Sequence, residues 1–196
     1  MLLTNKNKNL YFYEVELFFN HKIYKNVFAD KNNKTLFETI NSTRYKKFNS
    51  EIINNYPKFL DWPLGQFILK LKNEGNNFYL KFLNKYGDET YCQFKIIDEL
   101  YRNKKGLYIY YIDSDLKYIG RSLDPFYKRV NQGYGKIHPK NCYIDGQATN
   151  CHLNYLITTV KDKIKFAVFT INKDDEIKIM EKELIYKYKP EWNLQF

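Results

Sequence analysis

The chain has 196 residues, 44% of them hydrophobic and 28% charged, which excludes a disordered chain and leaves room for one sizeable domain or two small ones. Its net charge of +10 favours polyanionic partners, although the excess is spread along the chain and is weak evidence alone. Three cysteines, no secretory leader and no stretch apolar for long enough to span a bilayer predict a reducing, cytoplasmic setting.

Residues 1–103 read as a smaller α+β region. Aromatic and β-branched residues predict strands at Tyr11–Phe19 and Leu36–Ile40. Ser50 reads as the N-cap of a helix carrying Ile52, Ile53 and Tyr56, which Pro57 interrupts. A second helix, Leu64–Leu71, follows Pro63, and Asn73–Asn77 forms a turn. Phe78–Leu83 and Thr90–Ile96 are expected to pair as a hairpin about Tyr86-Gly87-Asp88. No catalytic constellation is visible here, so the expected role is DNA binding, specificity or dimerisation.

Residues 104–196 carry a β-β-α-α-β-α order, expected to make a small antiparallel sheet flanked by helices. Leu107–Ile112 and Lys117–Ile119 are strands about an Asp113-Ser114-Asp115 turn. Asp124-Pro125 reads as an N-cap and first-turn proline for a helix through Arg129. A long Gly- and Asn-containing loop spans 132–148 and is a candidate functional loop. A helix at Asn150–Val160, a strand at Ile164–Ile171 and a helix at Asp174–Tyr188 follow.

The last helix holds an anomaly. Ile177, Met180, Leu184, Ile185 and Tyr188 share one apolar face, and Glu181 falls in the middle of it. A carboxylate there needs compensation, either from a divalent metal or from a Lys or Arg at the rim. Arg129 ends the short helix, where a guanidinium could fork onto two phosphate oxygens or simply be solvated. Tyr108 and Tyr118 lie on adjacent strands. A phenol is a poor base at its reference pKa of about 10, which a neighbouring Arg or metal lowers. Plain sheet packing is the alternative for both. In the loop, Lys136 and Lys140 could meet phosphates, and Asn141, Gln147 and Asn150 could read base edges or tie the loop down. His138, Cys142, Cys151 and His152 lack the close Cys pair that zinc sites use.

Taken in order, Gly106-Leu107-Tyr108, Tyr118-Ile119-Gly120, Arg129, Glu181 and Asn193 resemble the catalytic elements of the GIY-YIG nucleases, with Leu107 in place of the usual Ile. The match runs from Gly106 to the C-terminus and includes the string E-x-x-L-I-x-x-Y-x-P-x-x-N over Glu181–Asn193. The resemblance implies a metal-dependent DNA endonuclease, of restriction type. Glu181 would hold one Mg²⁺ or Mn²⁺, Arg129 the phosphate, Tyr108 the proton of the attacking water, and Tyr118 the water network. Asn193 would brace the site, and Arg121 would add a phosphate contact. Two departures stand out. The spacer from Gly120 to Arg129 is one residue longer than the commonest pattern, which keeps Lys128 as a rival. Four residues beyond Arg129, where many members carry His or Tyr, stands Gly133, with Tyr134 next to it as a substitute. The other readings are a nonspecific, toxin-like or anti-phage nuclease, or a nucleic-acid-binding module without cleavage. One active site cuts one strand, so double-strand cleavage requires a dimer or two sequential events, and a homodimer is expected if the protein is a restriction enzyme.

Overall fold

A computed structural model describes residues 1–6 and 8–194, so the last two residues of the expected 104–196 region lie outside the described residues. The fold is α+β, with small antiparallel sheets flanked by helices. The strands are β1 (Leu2–Asn5), β2 (Lys8–Tyr11), β3 (Tyr13–Glu14), β4 (Leu17–Tyr24), β5 (Tyr91–Ile96), β6 (Gly106–Ile112), β7 (Asp115–Ser122) and β8 (Lys165–Thr170). The helices are α1 (Leu36–Ile40), α2 (Asn49–Asn55), α3 (Leu64–Asn73), α4 (Phe126–Arg129), α5 (Ala148–Thr159) and α6 (Asp174–Tyr188).

The chain forms two compact units, which do not coincide with the 1–103 and 104–196 regions. One comprises Met1–Lys22, Cys92–Lys136 and the chain from Leu156 onward; the other comprises Ile23–Tyr91 and Ile137–Tyr155. Pairing between distant segments is the reason, since β3 joins the sheet by pairing with β8.

In the first unit the strands order β3-β8-β6-β7, all antiparallel, with β6 in the centre. The run after Gly106 is apolar and aromatic throughout, as a strand covered on both faces requires. Period-2 alternation then divides it. Leu107, Ile109 and Tyr111 join Ile119 of β7 and Ile177 and Leu184 of α6 in an apolar core. Tyr108 and Tyr110 sit at the alternate positions, among Tyr118, Tyr134 and Phe166. Gly106 opens β6 at φ +144°, where a Cβ would lie 2.2 Å from the Phe169 carbonyl oxygen. The β1–β2 pair is clipped to α6: the Tyr188 hydroxyl accepts from the Thr4 N–H at 2.8 Å, and Glu183 accepts from the Asn5 amide at 2.9 Å.

The second unit is mainly helical. Its core gathers Phe28, Leu36, Ile40, Phe67, Ile68, Leu71, Phe82 and Tyr143. Helix α3 matches its expected position, with Leu64, Phe67, Ile68 and Leu71 buried at helical spacing.

Several expectations are corrected. Leu36–Ile40 is helix α1 and not a strand, because Thr35 and Glu38 form a reciprocal cap. The Thr35 hydroxyl accepts from the Glu38 N–H at 3.1 Å, and the Glu38 carboxylate accepts from the Thr35 N–H at 2.8 Å. Phe78–Leu83 is likewise no strand. Asn77–Phe82 winds into a 3-10 turn, capped by Asn76, whose carboxamide oxygen accepts from the Phe78 N–H at 2.9 Å. Strand β5 therefore lacks that hairpin partner and pairs with β4. Tyr11–Phe19 is broken into the end of β2, β3 and the start of β4. Ser50 lies inside α2, which continues directly from a preceding turn at Lys46–Phe48. Asp124 caps nothing; Pro125 holds the cap position of α4. The expected 132–148 loop contains a wide turn at Val130–Tyr134 and a 3-10 turn at Pro139–Cys142. Among the described residues no helix is long and apolar enough to cross a membrane.

Candidate active site

Tyr108 lies at the middle of the four-stranded sheet, opposite Gly120 on β7 and Val168 on β8. The absence of a side chain at Gly120 makes room for its ring. A Cβ there would stand 2.5 Å from Tyr108 Cζ and 2.6 Å from its hydroxyl oxygen. The last residue of α4 brings a cation to this spot. Arg129 Nε donates to the Tyr108 hydroxyl at 3.2 Å, and its guanidinium lies 5.3 Å from the centre of the Tyr134 ring. The Tyr110 and Tyr134 hydroxyls share a hydrogen bond of 3.0 Å. The Tyr118 ring packs 6.0 Å from that of Tyr108.

The electrostatics of this cluster are one-sided. Burial pushes the Tyr110, Tyr118 and Tyr134 phenols well above the ordinary tyrosine range, so all three stay neutral. The Arg129 guanidinium keeps its charge against the opposing effect of burial, held foremost by Tyr108, whose hydroxyl accepts from it, and by the face of the Tyr134 ring. The cluster therefore presents one fixed positive charge in an aromatic, hydrogen-bonding frame.

Lys128, the expected rival of Arg129, is exposed and pairs with Asp124 at 3.6 Å, one turn back. Tyr134, expected to meet nucleic acid, is fully buried. Tyr110 completes the cluster and was not among the expected site residues. Its signal was present, because two residues after Tyr108 along a strand lies the same face.

Glu181 projects from α6 with its side chain 15% exposed and forms an ion pair with Arg121, which is 38% exposed. Arg121 shares the register parity of Ile119 on β7, which brings it to the α6 side. Burial raises the Glu181 carboxyl above the usual range, opposed by Arg121 and, more weakly, by Arg129. Glu181 thus lies within the electrostatic reach of both arginines.

A divalent ion fits this donor only in one form. Among the described residues no group of three or more His, Cys, Asp or Glu side chains could hold a metal. Mg²⁺, however, is commonly bound by one or two carboxylates, with water and phosphate oxygens completing the shell. Glu181 offers one such carboxylate, whose burial is not fully offset by its arginine partners.

Asn193 is 9% exposed and braces the edge of the sheet. Among the described residues no strand pairs with β7 on its outer side. The Asn193 carboxamide acts as a short substitute strand, accepting from the Ile119 N–H at 3.0 Å and donating to the Ile119 carbonyl at 2.8 Å. The adjacent Trp192 N–H donates to the Lys117 carbonyl at 2.9 Å. Asn193→Ala is expected to destabilise by roughly 1–3 kcal/mol for each Ile119 group left unpaired. Urea unfolding measures this, and a loss under about 0.5 kcal/mol would show that the bracing is dispensable.

The remaining expected residues divide between the units. Lys136, in the first, lines a groove of about 240 Å³ with Phe18, Phe94 and Lys95. Lys140 belongs to the second unit. There the loop amides tie down the chain: Asn141 accepts from the His138 N–H at 2.9 Å, and Asn150 donates to Gln147 at 2.6 Å. Cys142 and Cys151 are buried in the core, and the His152 ring packs 4.4 Å from that of Tyr86.

No protein-family model, no curated protein and no solved structure matches this chain.

Proposed function

We propose that this protein is a metal-dependent DNA endonuclease of the GIY-YIG type, acting as a restriction-like enzyme in the cytoplasm. The observation that carries the reading is the pairing of Arg129 with Tyr108 beside Tyr118, with the Glu181 carboxylate within reach of the same guanidinium. These are the residue types that phosphodiester hydrolysis needs: a fixed cation for the phosphate, a hydroxyl near it for proton transfer, and a carboxylate for a metal.

In this reading Arg129 binds the scissile phosphate through its guanidinium and stabilises the extra charge of the transition state. The attacking water bonds to phosphorus through its oxygen and passes a proton to the Tyr108 oxygen as the Tyr108 hydroxyl gives up its own proton to solvent. The bond from phosphorus to the leaving oxygen breaks, and that oxygen takes a proton from solvent, giving a hydroxyl on one product and a phosphate on the other. Tyr118 orders the water, and Asn193 keeps β7 in place. A divalent ion held by Glu181 would supply Lewis-acid polarisation of the phosphate. Arg121, paired with Glu181 in its absence, would turn to the DNA backbone, with exposed Lys128 and Lys136 adding charge.

The test is supercoiled plasmid incubated with the protein in Mg²⁺ or Mn²⁺, beside an EDTA control. Nicked or linear product that vanishes in EDTA is the expected result. Discrete fragments support a restriction enzyme, whereas a smear supports an indiscriminate nuclease. No product in either metal, on double- or single-stranded DNA, would leave only a binding module. Double-strand cuts made in one binding event would call for a homodimer.

A further inference from the structure

In the second unit a cleft of about 510 Å³ lies between the turn after Asp30 and the Pro139–Cys142 turn. Lys31, Asn32, Asn33, His138 and Lys140 line it. The Lys31 side chain is only 10% exposed, unusual for an ammonium group. Its nearest carboxylate, Asp145, is 4.0 Å away, and the same Asp145 oxygen accepts the Tyr45 hydroxyl at 2.6 Å. The ammonium rests 4.1 Å from the centre of the Tyr143 ring. Among the described residues it donates no hydrogen bond, although an ammonium carries three donors. A charge enclosed to this extent is costly unless water or a ligand in the cleft completes its hydrogen bonds.

The lining favours an anion. Lys140 and Lys34 both act on Lys31 as like charges, whereas Asp145 alone among the carboxylates offsets them. Asp30, the one acidic side chain lining the cleft, is exposed. His138 Nδ1 accepts from the Lys140 N–H at 3.4 Å, which leaves its Nε2–H as a further donor. Asn32 and Asn33 add amide donors. A group with several acceptor oxygens on one centre matches such a set.

We propose that this cleft is a phosphate-binding site in which Lys31 is the buried anchor and Lys140 and His138 are the outer donors. The phosphate group comes either from a nucleic-acid backbone or from a free phosphate or phosphorylated small molecule. The assignment does not depend on the nuclease reading, because inorganic phosphate tests it with no cleavage involved.

The experiment titrates inorganic phosphate into the full chain at constant ionic strength, with chloride as control, following binding by calorimetry and thermal shift. Saturable stabilisation is expected from phosphate and none from chloride. Lys31→Met keeps an unbranched stem on the Tyr143 ring and removes the charge; it is expected to weaken phosphate at least tenfold while folding normally. Lys140→Ala, at an exposed position, is expected to weaken it several-fold and serves if Lys31→Met does not fold. A second arm measures the affinity of a short duplex in EDTA across a salt series. A salt slope lower by about one in Lys31→Met marks a backbone phosphate. An unchanged slope with lost phosphate affinity marks the free or small-molecule source. No saturable response in the parent, or equal phosphate affinity in both variants, overturns the proposal.

Discussion

Glu181→Gln is expected to lower DNA cleavage by about 10³-fold or more, corresponding to a loss of ~4 kcal/mol of transition-state stabilisation. The substitution keeps the volume on α6 and removes only the charge. Its effect on folding should be small and opposite in sign to its effect on activity. Burial raises the Glu181 carboxyl despite two nearby arginines, so the charged form is held at a cost that glutamine does not carry. Against this, Arg121 loses its ion-pair partner, although at 38% exposure water can serve it instead. The two readouts are the cleavage rate on plasmid and the melting temperature. A variant that cuts at the parent rate would remove Glu181 from the active site. One that loses both activity and fold would assign the carboxylate a structural role, as the partner of Arg121.

Arg129→Ala is expected to cost about 10²–10³-fold in cleavage, the size seen when a fixed donor to a developing oxyanion is deleted. Arg129→Lys separates charge from geometry. Lysine restores a positive charge but not the planar fork, which here gives one N–H to Tyr108 and faces the Tyr134 ring. It should therefore recover only part of the loss, and it should also weaken the contact that positions the Tyr108 hydroxyl. The stability change in Arg129→Ala should be modest. Removing the guanidinium leaves behind neutral phenols and no unpaired charge, so the loss is mainly a cation–π contact of ~0.5–2 kcal/mol. Full activity in the lysine variant would reduce Arg129 to a point charge. If Lys128→Ala, rather than Arg129→Ala, abolished cleavage, the catalytic cation would lie one residue earlier.

Much of the architecture is local and could be read along the chain. Helix α6 carries its apolar face and its one misplaced carboxylate in the sequence, and α3 shows the same period after its proline. The strands β5, β6 and β8 are rich in aromatic and β-branched residues and fall where expected, whereas β7 extends beyond the expected Lys117–Ile119 to Asp115–Ser122. Even α1 was written locally, since Thr35 and Glu38 stand three apart as a reciprocal cap requires, although β-branching suggested a strand. The opposition of Tyr108 and Gly120 follows from a hairpin whose turn is short, so the middle of the candidate site was legible too.

What was not legible depended on partners far away in sequence. The compact units mix distant stretches of chain because β3 pairs with β8, and no local propensity encodes a strand partner about 150 residues away. Phe78–Leu83 carries strand-like residues, but the side-chain cap at Asn76 turns it into a 3-10 segment, with Phe78 and Phe82 buried four apart instead of two. The pattern on α6 required compensation for Glu181 without naming its source; the fold supplies Arg121, from the edge strand. Nothing in the sequence sets Lys31 apart from the other lysines; tertiary packing places it over Tyr143. Hydrogen bonds between near neighbours and the periodicity of each element are properties of short segments, so the sequence alone determines them. Which strand pairs with which, and whether a charge ends up in water or against a ring, depends on how those segments come together, and only the tertiary structure decides it.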